Sequence, residues 1–176
     1  MGRRKAMSEL LREGDFAAID FETATTARDS ACAVAVVMVR NHRITDRAFR
    51  LIRPPRREFR FTNIHGITWA DVRFQPTFGE VWPELESLVH GAAFIAAHNA
   101  AFDRSVLYAC CETHRLSAPP MPFVCTMHLA RRHWGIYPTR LPDVCRELGI
   151  DLHHHDAASD AEACARILLR YRQEVH

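Results

Sequence analysis

A short apolar run over residues 16–21, ending in the carboxylates Asp20 and Glu22, constrains this chain more than any other feature. Nearly continuous apolar residues predict a strand that is covered on both faces of a sheet. Side chains two residues apart share one face of a strand, so Asp20 and Glu22 are expected close together at the sheet edge. Such a pair suits a divalent metal with oxygen ligands. The alternative is that both carboxylates simply reach solvent where the strand leaves the core.

The remaining pattern predicts an α/β or α+β sheet domain. The 176 residues, 48% of them hydrophobic, fit one domain over residues 15–176, preceded by an N-terminal arm over residues 1–14. The arm is expected to carry a short helix around residues 8–12. Further strands are expected over residues 31–40, 44–52 and 92–97, and helices over residues 78–89, 101–113, 126–133, 142–148 and 157–173.

A second polar cluster follows the predicted strand over residues 92–97. His98 and Asn99 end that strand, and Asp103 lies in the first turn of the next predicted helix. Asn99 suits the N-cap position, and the helix dipole favours an anion at Asp103. Taken alone, the segment also fits a capping role with no chemistry.

The last predicted helix carries a charge on its apolar face. Asp160 shares that face with Ala161, Cys164 and Leu168. A buried carboxylate needs a partner or a metal. His155 lies on the preceding loop, close enough to reach the same centre, whereas the adjacent residues 153–154 are expected at the surface.

Together these segments resemble the DEDDh exonuclease family, as in the proofreading epsilon subunit of bacterial DNA polymerase III and in ribonuclease T. The first motif is Asp20-Phe21-Glu22-Thr23. The second is His98-Asn99-Ala100-Ala101-Phe102-Asp103, and the third is His155 followed after four residues by Asp160. The resemblance covers about residues 15–171. It implies an RNase H-like α/β fold, with a five-stranded mixed sheet in the order 3-2-1-4-5 flanked by helices.

The resemblance also implies a 3′–5′ exonuclease that releases nucleoside 5′-monophosphates from single-stranded or frayed 3′ ends. Two divalent cations, Mg²⁺ or Mn²⁺, are implied as cofactors. Asp20 would bridge them, while Glu22 and Asp160 would bind one of them. Asp103 would act through coordinated water, and His155 would take the proton from the attacking water. The substrate contacts carried over from the family are Thr23, Ile64, His65, His98, Asn99 and Phe102.

The substrate and the partners are less constrained than the metal chemistry. DNA and RNA 3′ ends both fit the motifs, and Phe102 could stack on a base or belong to the core. The first motif continues Ala24-Thr25-Thr26 without the Thr-Gly common in the family, so the loop at the terminal nucleotide is expected to differ. No tail follows the last helix, which favours a free-standing exonuclease or a domain of a longer protein. A DNA polymerase and a second copy of the chain are the protein partners that the family suggests.

Two non-enzymatic alternatives stay open. One is a catalytically silent nucleic-acid-binding module on the same fold, and the other is a structural metal-binding protein that uses residues 153–155. Four crowded carboxylates argue against the silent module, because binding nucleic acid does not require them. Loss of nuclease activity in Asp20→Asn with the fold intact would reject both alternatives.

Composition adds limits on compartment and surface. The six cysteines form no CxxC pair and no secretory signal begins the chain, which predicts reduced thiols in the cytoplasm. No apolar run is long enough to span a membrane. The net charge of +2 does not imply a polyanion partner, but arginine is dense over residues 40–60. That arginine-rich segment is either a phosphate track or a solvated face.

Overall fold

The computed structural model describes residues 2–175, with side chains described from Ser8 to Val175. Its sheet contains β1 (Phe16–Thr23), β2 (Ala31–Arg40), β3 (Arg43–Leu51), β4 (Phe94–Ala97) and β5 (Phe123–Cys125). The helices are α1 (Gly2–Glu13), α2 (Thr62–His65), α3 (Trp69–Val72), α4 (Phe78–Val89), α5 (Ala100–Thr113), α6 (Thr126–His133), α7 (Leu141–Leu148) and α8 (Ala157–Val175). The strand order β3-β2-β1-β4-β5 confirms the order that the DEDDh resemblance implies.

The directions of the strands determine where a site can form. β1, β2 and β3 are antiparallel neighbours, whereas β4 runs parallel to β1 and β5 runs parallel to β4. The carboxyl ends of β1, β4 and β5 therefore meet at one edge of the sheet. In open α/β sheets, ligands bind in the crevice outside these ends. The pairing of β1 with β2 also shifts register between Glu22 and Thr23, at the same edge.

The two faces of β1 point into different parts of the core. Ile19 and Phe21 pack on the side of α4 and α5, whereas Phe16 and Ala18 pack on the side of α8. Because side chains alternate along a strand, Asp20 continues the Phe16 and Ala18 face. The strand therefore aims Asp20, and Glu22 two residues later, towards α8.

Helix α8 begins where its sequence supplies a cap. The Asp156 carboxylate accepts a hydrogen bond of 3.0 Å from the backbone N–H of Ser159, three residues later, as an N-cap side chain does. This start places Asp160 in the first turn, facing the sheet, and only 5% of its surface is exposed. The predicted apolar face of the helix is confirmed by the burial of Ala161, Cys164 and Leu168.

Helix α1 is longer than the short helix expected around residues 8–12, and its last turn is tied to α8. The Arg172 guanidinium donates hydrogen bonds to the carbonyl oxygens of Leu11 and Gly14, and it lies 4.9 Å from the centroid of the Phe16 ring. These contacts explain why an arginine is buried there. The division into an arm over residues 1–14 and a domain over residues 15–176 stays a proposal.

Several short elements were not expected from the residue pattern. β5 is three residues long and follows a proline-rich stretch, but it pairs with β4 through Ile95 and Phe123. The four-residue helices α2 and α3 occupy the long connection between β3 and α4. Elements this short carry no measurable period, so tertiary contacts decide them. No helix in the described part of the chain is long and apolar enough to cross a membrane.

Candidate active site

Three carboxylates from distant parts of the sequence meet at the carboxyl end of β1. Asp20 and Glu22 extend from β1, and Asp160 extends towards them from the first turn of α8. One carboxylate oxygen of each lies within 4.8 Å of the others. Asp160 is buried, while Asp20 and Glu22 are partly exposed, so the group opens to solvent on one side.

Asp103 is a fourth carboxylate beside this group. It is only 2% exposed, and its Oδ1 accepts a hydrogen bond of 3.1 Å from the backbone N–H of Phe21. This bond holds the first turn of α5 against the backbone between Asp20 and Glu22. The structure thus brings together the four acidic residues that the three motifs supply.

The electrostatics of these carboxylates are unfavourable without a cation. Desolvation, followed by repulsion from Asp160, raises the pKa of Glu22 to about 7. Desolvation raises the pKa of Asp103 to about 8 against the hydrogen bond from Phe21. Desolvation and repulsion from the other carboxylates raise the pKa of Asp20 well above its usual range. Such raised pKa values are expected of crowded, desolvated carboxylates, and groups of this kind are concentrated at functional sites.

The donor set of Asp20, Glu22 and Asp160 fits a hard divalent cation. All three offer carboxylate oxygen, and Mg²⁺ and Mn²⁺ prefer such ligands over nitrogen and sulfur. A cation here would offset the repulsion that raises the pKa values of these groups. The chemistry of the residues is therefore consistent with the metals that the family resemblance implies.

Two histidines lie on the other side of Asp160. The backbone N–H of His155 donates to Asp160 Oδ2 over 3.2 Å, and His155 adopts a left-handed conformation with φ of 68°. The ring of His154 stacks on that of His155, with centroids 3.8 Å apart, and its Nδ1 lies 3.1 Å from Asp160 Oδ2. His154 was expected to be a surface residue only. It is exposed, but it contacts the Asp160 carboxylate. The family motif consists of His155 and Asp160, so it gives no indication of this contact.

A cavity of about 620 Å³ opens beside the carboxylates. Ile64 and His65 lie on one wall, and Glu22 and His155 lie on others. The His65 ring accepts a hydrogen bond from the Ile67 N–H at Nδ1, so its Nε2 carries the proton and donates to the carbonyl oxygen of Thr23 over 3.2 Å. Burial lowers the pKa of His65, which agrees with this neutral form.

The predicted contacts of the second motif lie in different surroundings. Phe102 is partly buried, and the Arg28 guanidinium lies 4.7 Å from its ring centroid. Both ring nitrogens of His98 are within 2.9 Å of protein oxygens, Thr126 Oγ1 and the Thr139 carbonyl. Asn99 occupies the N-cap position with φ of 67°, but its side chain makes no capping hydrogen bond within the described residues. The predicted N-cap position of Asn99 is therefore confirmed, but without the usual side-chain bond, because its left-handed backbone does not have the extended conformation that such a bond requires.

The arginine-rich segment over residues 40–60 is largely paired within the protein. Arg40 donates to the carbonyl oxygens of Leu88 and His90. Ion pairs join four others to carboxylates: Arg47 with Glu162, Arg50 with Glu84, Arg56 with Asp29, and Arg60 with Glu58. These contacts favour the interpretation of the segment as a solvated, internally paired surface.

Sequence comparisons agree with the geometry of the site. The model of the exonuclease family that includes ribonuclease T matches residues 17–168. Exodeoxyribonuclease 10 of Escherichia coli (strain K12) is 35% identical over 147 residues, which are 77% of this chain and 59% of the relative. The PolC-type DNA polymerase III of Halalkalibacterium halodurans is 32% identical over 169 residues, 91% of this chain but 11% of the polymerase. The chain thus matches between about a tenth and about three fifths of the length of these relatives.

Solved structures lead to the same family. Exonuclease X in complex with 5′ overhanging duplex DNA has a TM-score of 0.75 and 28% identity, over 90% of this chain and 92% of that one. The nuclease domain of 3′hExo, a DEDDh family member bound to rAMP, has a TM-score of 0.77, and the match covers 92% of this chain and 93% of that one. At 22% identity, the second likeness shows the shared fold. With a family match over most of its length and this arrangement of carboxylates, the chain belongs to the RNase T exonuclease family.

Proposed function

We propose that this protein is a metal-dependent 3′–5′ exonuclease that hydrolyses phosphodiester bonds and releases nucleoside 5′-monophosphates. The observation that carries the proposal is the convergence of Asp20, Glu22 and Asp160 at the edge of an open cavity. Asp103 reinforces the same centre from α5. Membership of an exonuclease family and 35% identity to an exodeoxyribonuclease support the assignment of chemistry.

The four carboxylates would hold two divalent cations, Mg²⁺ or Mn²⁺. Asp20 would be shared between the two ions, Glu22 and Asp160 would bind one of them, and Asp103 would contribute through water. When bound, such ions stabilise the negative charge on the attacking and leaving oxygens of a phosphodiester. The protein contributes the spacing of the carboxylates, which the strand and the two helix starts hold in place.

His155 would act as the general base. Its side chain is exposed and lines the cavity, so its ring could contact a water molecule that attacks a substrate bound there. Partial desolvation, followed by repulsion from His154, lowers the pKa of His155, which favours the neutral imidazole that can accept a proton. The left-handed backbone at His155 and the hydrogen bond from its N–H to Asp160 fix the position of the Cα atom from which the side chain extends.

The cavity would receive the terminal nucleotide. Ile64 and His65 form one wall of the cavity. Thr23 would support this wall, because its carbonyl oxygen accepts a hydrogen bond from the His65 ring. Phe102 would stack on the base by displacing the Arg28 guanidinium that lies over its ring. His98 would act indirectly, since its ring is hydrogen-bonded to Thr126 at the start of α6 and to the Thr139 carbonyl. The exposed Asn99 side chain would contact the sugar of the terminal nucleotide.

We propose a single-stranded or frayed 3′ end as the substrate, and the name of one relative supports DNA over RNA. Exodeoxyribonuclease 10 is named for DNA, and the identity to it is 35%. The similarity to a PolC-type polymerase makes a DNA polymerase a candidate partner. A homodimer stays a prediction from the family.

Digestion of matched single-stranded DNA and RNA oligomers tests this function. We expect a 5′-labelled oligomer to shorten stepwise from its 3′ end with Mg²⁺ or Mn²⁺, and to stay intact with EDTA. His155→Ala should abolish the ladder, whereas His128→Ala, which alters an exposed histidine of α6, should retain it. Cleavage that persists in EDTA would overturn the metal mechanism. Binding of the oligomer without any cleavage would instead favour the catalytically silent module.

A further inference from the structure

We propose that His154, His155 and Asp160 form a second metal site, selective for a borderline transition metal such as Zn²⁺. Asp160 belongs to two groups of side chains that could each hold an ion. One group is the all-oxygen set with Asp20 and Glu22, and the other is a nitrogen-rich set with the two histidines. The family motif supplies His155 and Asp160, while His154 completes the second set.

The nitrogen-rich set brings one donor atom of each residue near the spacing of a zinc site. One ligand atom from each of the three residues lies within 4.8 Å of the others, and His154 Nδ1 is 3.1 Å from Asp160 Oδ2. Tetrahedral zinc with bonds of about 2.0–2.1 Å places its ligand atoms about 3.3 Å apart. The two imidazole rings stack with centroids 3.8 Å apart, so one ring must turn out of the stack before both nitrogens can aim at one ion. Both side chains are exposed, which leaves room for that rotation.

The donor chemistry distinguishes this set from the carboxylate set. Imidazole nitrogen suits Zn²⁺, Cu²⁺ and Ni²⁺, whereas Mg²⁺ prefers oxygen and retains its waters. Two imidazoles and one carboxylate leave a fourth zinc position open for water or a phosphate oxygen. Both histidines are exposed and Asp160 is buried, so an ion from solvent would meet the nitrogen ligands first and the carboxylate beneath them.

His153 provides an internal contrast. Its backbone N–H donates to Ser159 Oγ over 2.8 Å, and its side chain does not belong to either group that could hold an ion in the described part of the chain. The three consecutive histidines therefore do not act as a uniform tag. Only His154 and His155 share a carboxylate.

Zinc at this site would compete with the exonuclease chemistry. It would bind the His155 ring that the proposed reaction uses as a base, and it would draw Asp160 away from Asp20 and Glu22. This consequence rests on the proposed function, whereas zinc binding itself does not. The structure thus assigns to His154 a role in metal discrimination.

Isothermal titration calorimetry with Zn²⁺ tests the site directly. The Asp20→Asn variant weakens the carboxylate set and leaves the nitrogen-rich set intact, so it should still bind Zn²⁺ more tightly than Mg²⁺. Adding His154→Ala should weaken zinc binding at least about tenfold, as expected for the loss of a ligand. Adding His153→Ala instead should leave the affinity unchanged. Equal zinc affinity in the two double variants, or no preference for Zn²⁺ over Mg²⁺, would overturn the proposal.

The same comparison can be made without Asp20→Asn if circular dichroism shows that this variant does not fold. Wild-type protein, His154→Ala and His153→Ala are then titrated with Zn²⁺ and with Co²⁺, whose visible absorption reports nitrogen ligands. In the nuclease assay, half-inhibition of the His154→Ala variant should require at least about tenfold more Zn²⁺ than that of the wild type. If no variant cleaves any substrate, the proposed function fails, but the calorimetry still decides the zinc site.

Discussion

The two sides of Asp160 differ in almost every physical respect. On the carboxylate side, Asp20 and Glu22 extend from a central strand, offer only oxygen, and have pKa values raised by desolvation and mutual repulsion. On the histidine side, His154 and His155 lie on an exposed loop, offer nitrogen, and approach Asp160 through a ring and a backbone N–H. Both sides meet at one buried carboxylate.

This difference would let one fold separate the two proposed tasks. A strand with neighbours on both sides holds its side chains at fixed spacing, which is what binding of a hard cation requires. A loop with exposed rings can change rotamer, which suits proton transfer or capture of a metal from solvent. Asp160 couples the two, so changes on each side of it should have distinguishable effects.

The largest expected effect comes from Asp160→Asn, which breaks both sides at once. Exonuclease activity should fall by at least about 10²–10³-fold, because the charge that balances the cations is lost. Zinc affinity should fall in the same variant. Steady-state cleavage of labelled oligomers and calorimetry measure the two effects. Asp46→Asn, at an exposed carboxylate on β3, is the matched control, and near-wild-type activity in Asp160→Asn would contradict the assignment.

A smaller effect should follow from Asp103→Asn, which weakens the carboxylate side alone. Asparagine can still accept the hydrogen bond from Phe21, so the fold should survive while the charge is lost. We expect a rate about 10–100-fold lower, with more Mg²⁺ needed for half-maximal rate, as for a residue that supports metal ligands. Single-turnover rates across a Mg²⁺ series measure this. Zinc affinity should stay unchanged, and a parallel loss of zinc binding would show that the two sides are not separable.

Phe102→Leu tests a residue that belongs to neither the carboxylate side nor the histidine side of Asp160. Leucine keeps apolar volume but lacks the ring face, so KM for single-stranded DNA should rise about five- to tenfold with kcat little changed. Initial rates over a range of oligomer concentrations separate the two constants. Calorimetry should show wild-type Zn²⁺ binding in this variant. A drop in kcat with constant KM would argue that Phe102 supports the metal site through packing instead.

The smallest expected effect is a pH-dependent shift in thermal stability. In the absence of metal, the folded protein retains protons on Glu22 and Asp103, with pKa values of about 7 and about 8, that the unfolded chain releases at lower pH. Their contribution to the free energy of unfolding is therefore present at low pH and decreases as pH rises through these values. Mg²⁺ would bind the deprotonated carboxylates, so its stabilising effect should grow over the same range.

Differential scanning fluorimetry with EDTA or Mg²⁺ checks this at about pH 5.5 and about pH 8, a window set by the two pKa values. The increase in Tm caused by Mg²⁺ should be a few degrees larger at the higher pH. Asp103→Asn should reduce that difference, because it removes one of the titrating groups. A Mg²⁺ effect that is the same at both pH values would contradict the proposed charge balance of the carboxylate side.

Much of the fold follows from local pattern. The apolar run before Asp20 predicts a buried strand, and helices α4 and α6 have the expected limits, with a capping box of Thr77 and Glu80 at the start of α4. The length of α1 and the strand β5 could not be predicted from pattern. The last turn of α1 is held by Arg172, which donates to the Leu11 carbonyl from 161 residues away, and β5 depends on pairing with β4.

The sequence by itself determined the identity and the order of the acidic residues, since Asp20 and Glu22 share a strand face and Asp160 lies on the inner face of a helix. Only the tertiary structure decided that His154 joins Asp160, that both nitrogens of His98 are used by the protein, and that Arg47, Arg50 and Arg56 are paired. The physical reason is range. Strand and helix periodicity act between near neighbours in sequence, whereas side-chain contacts across loops depend on how distant elements pack.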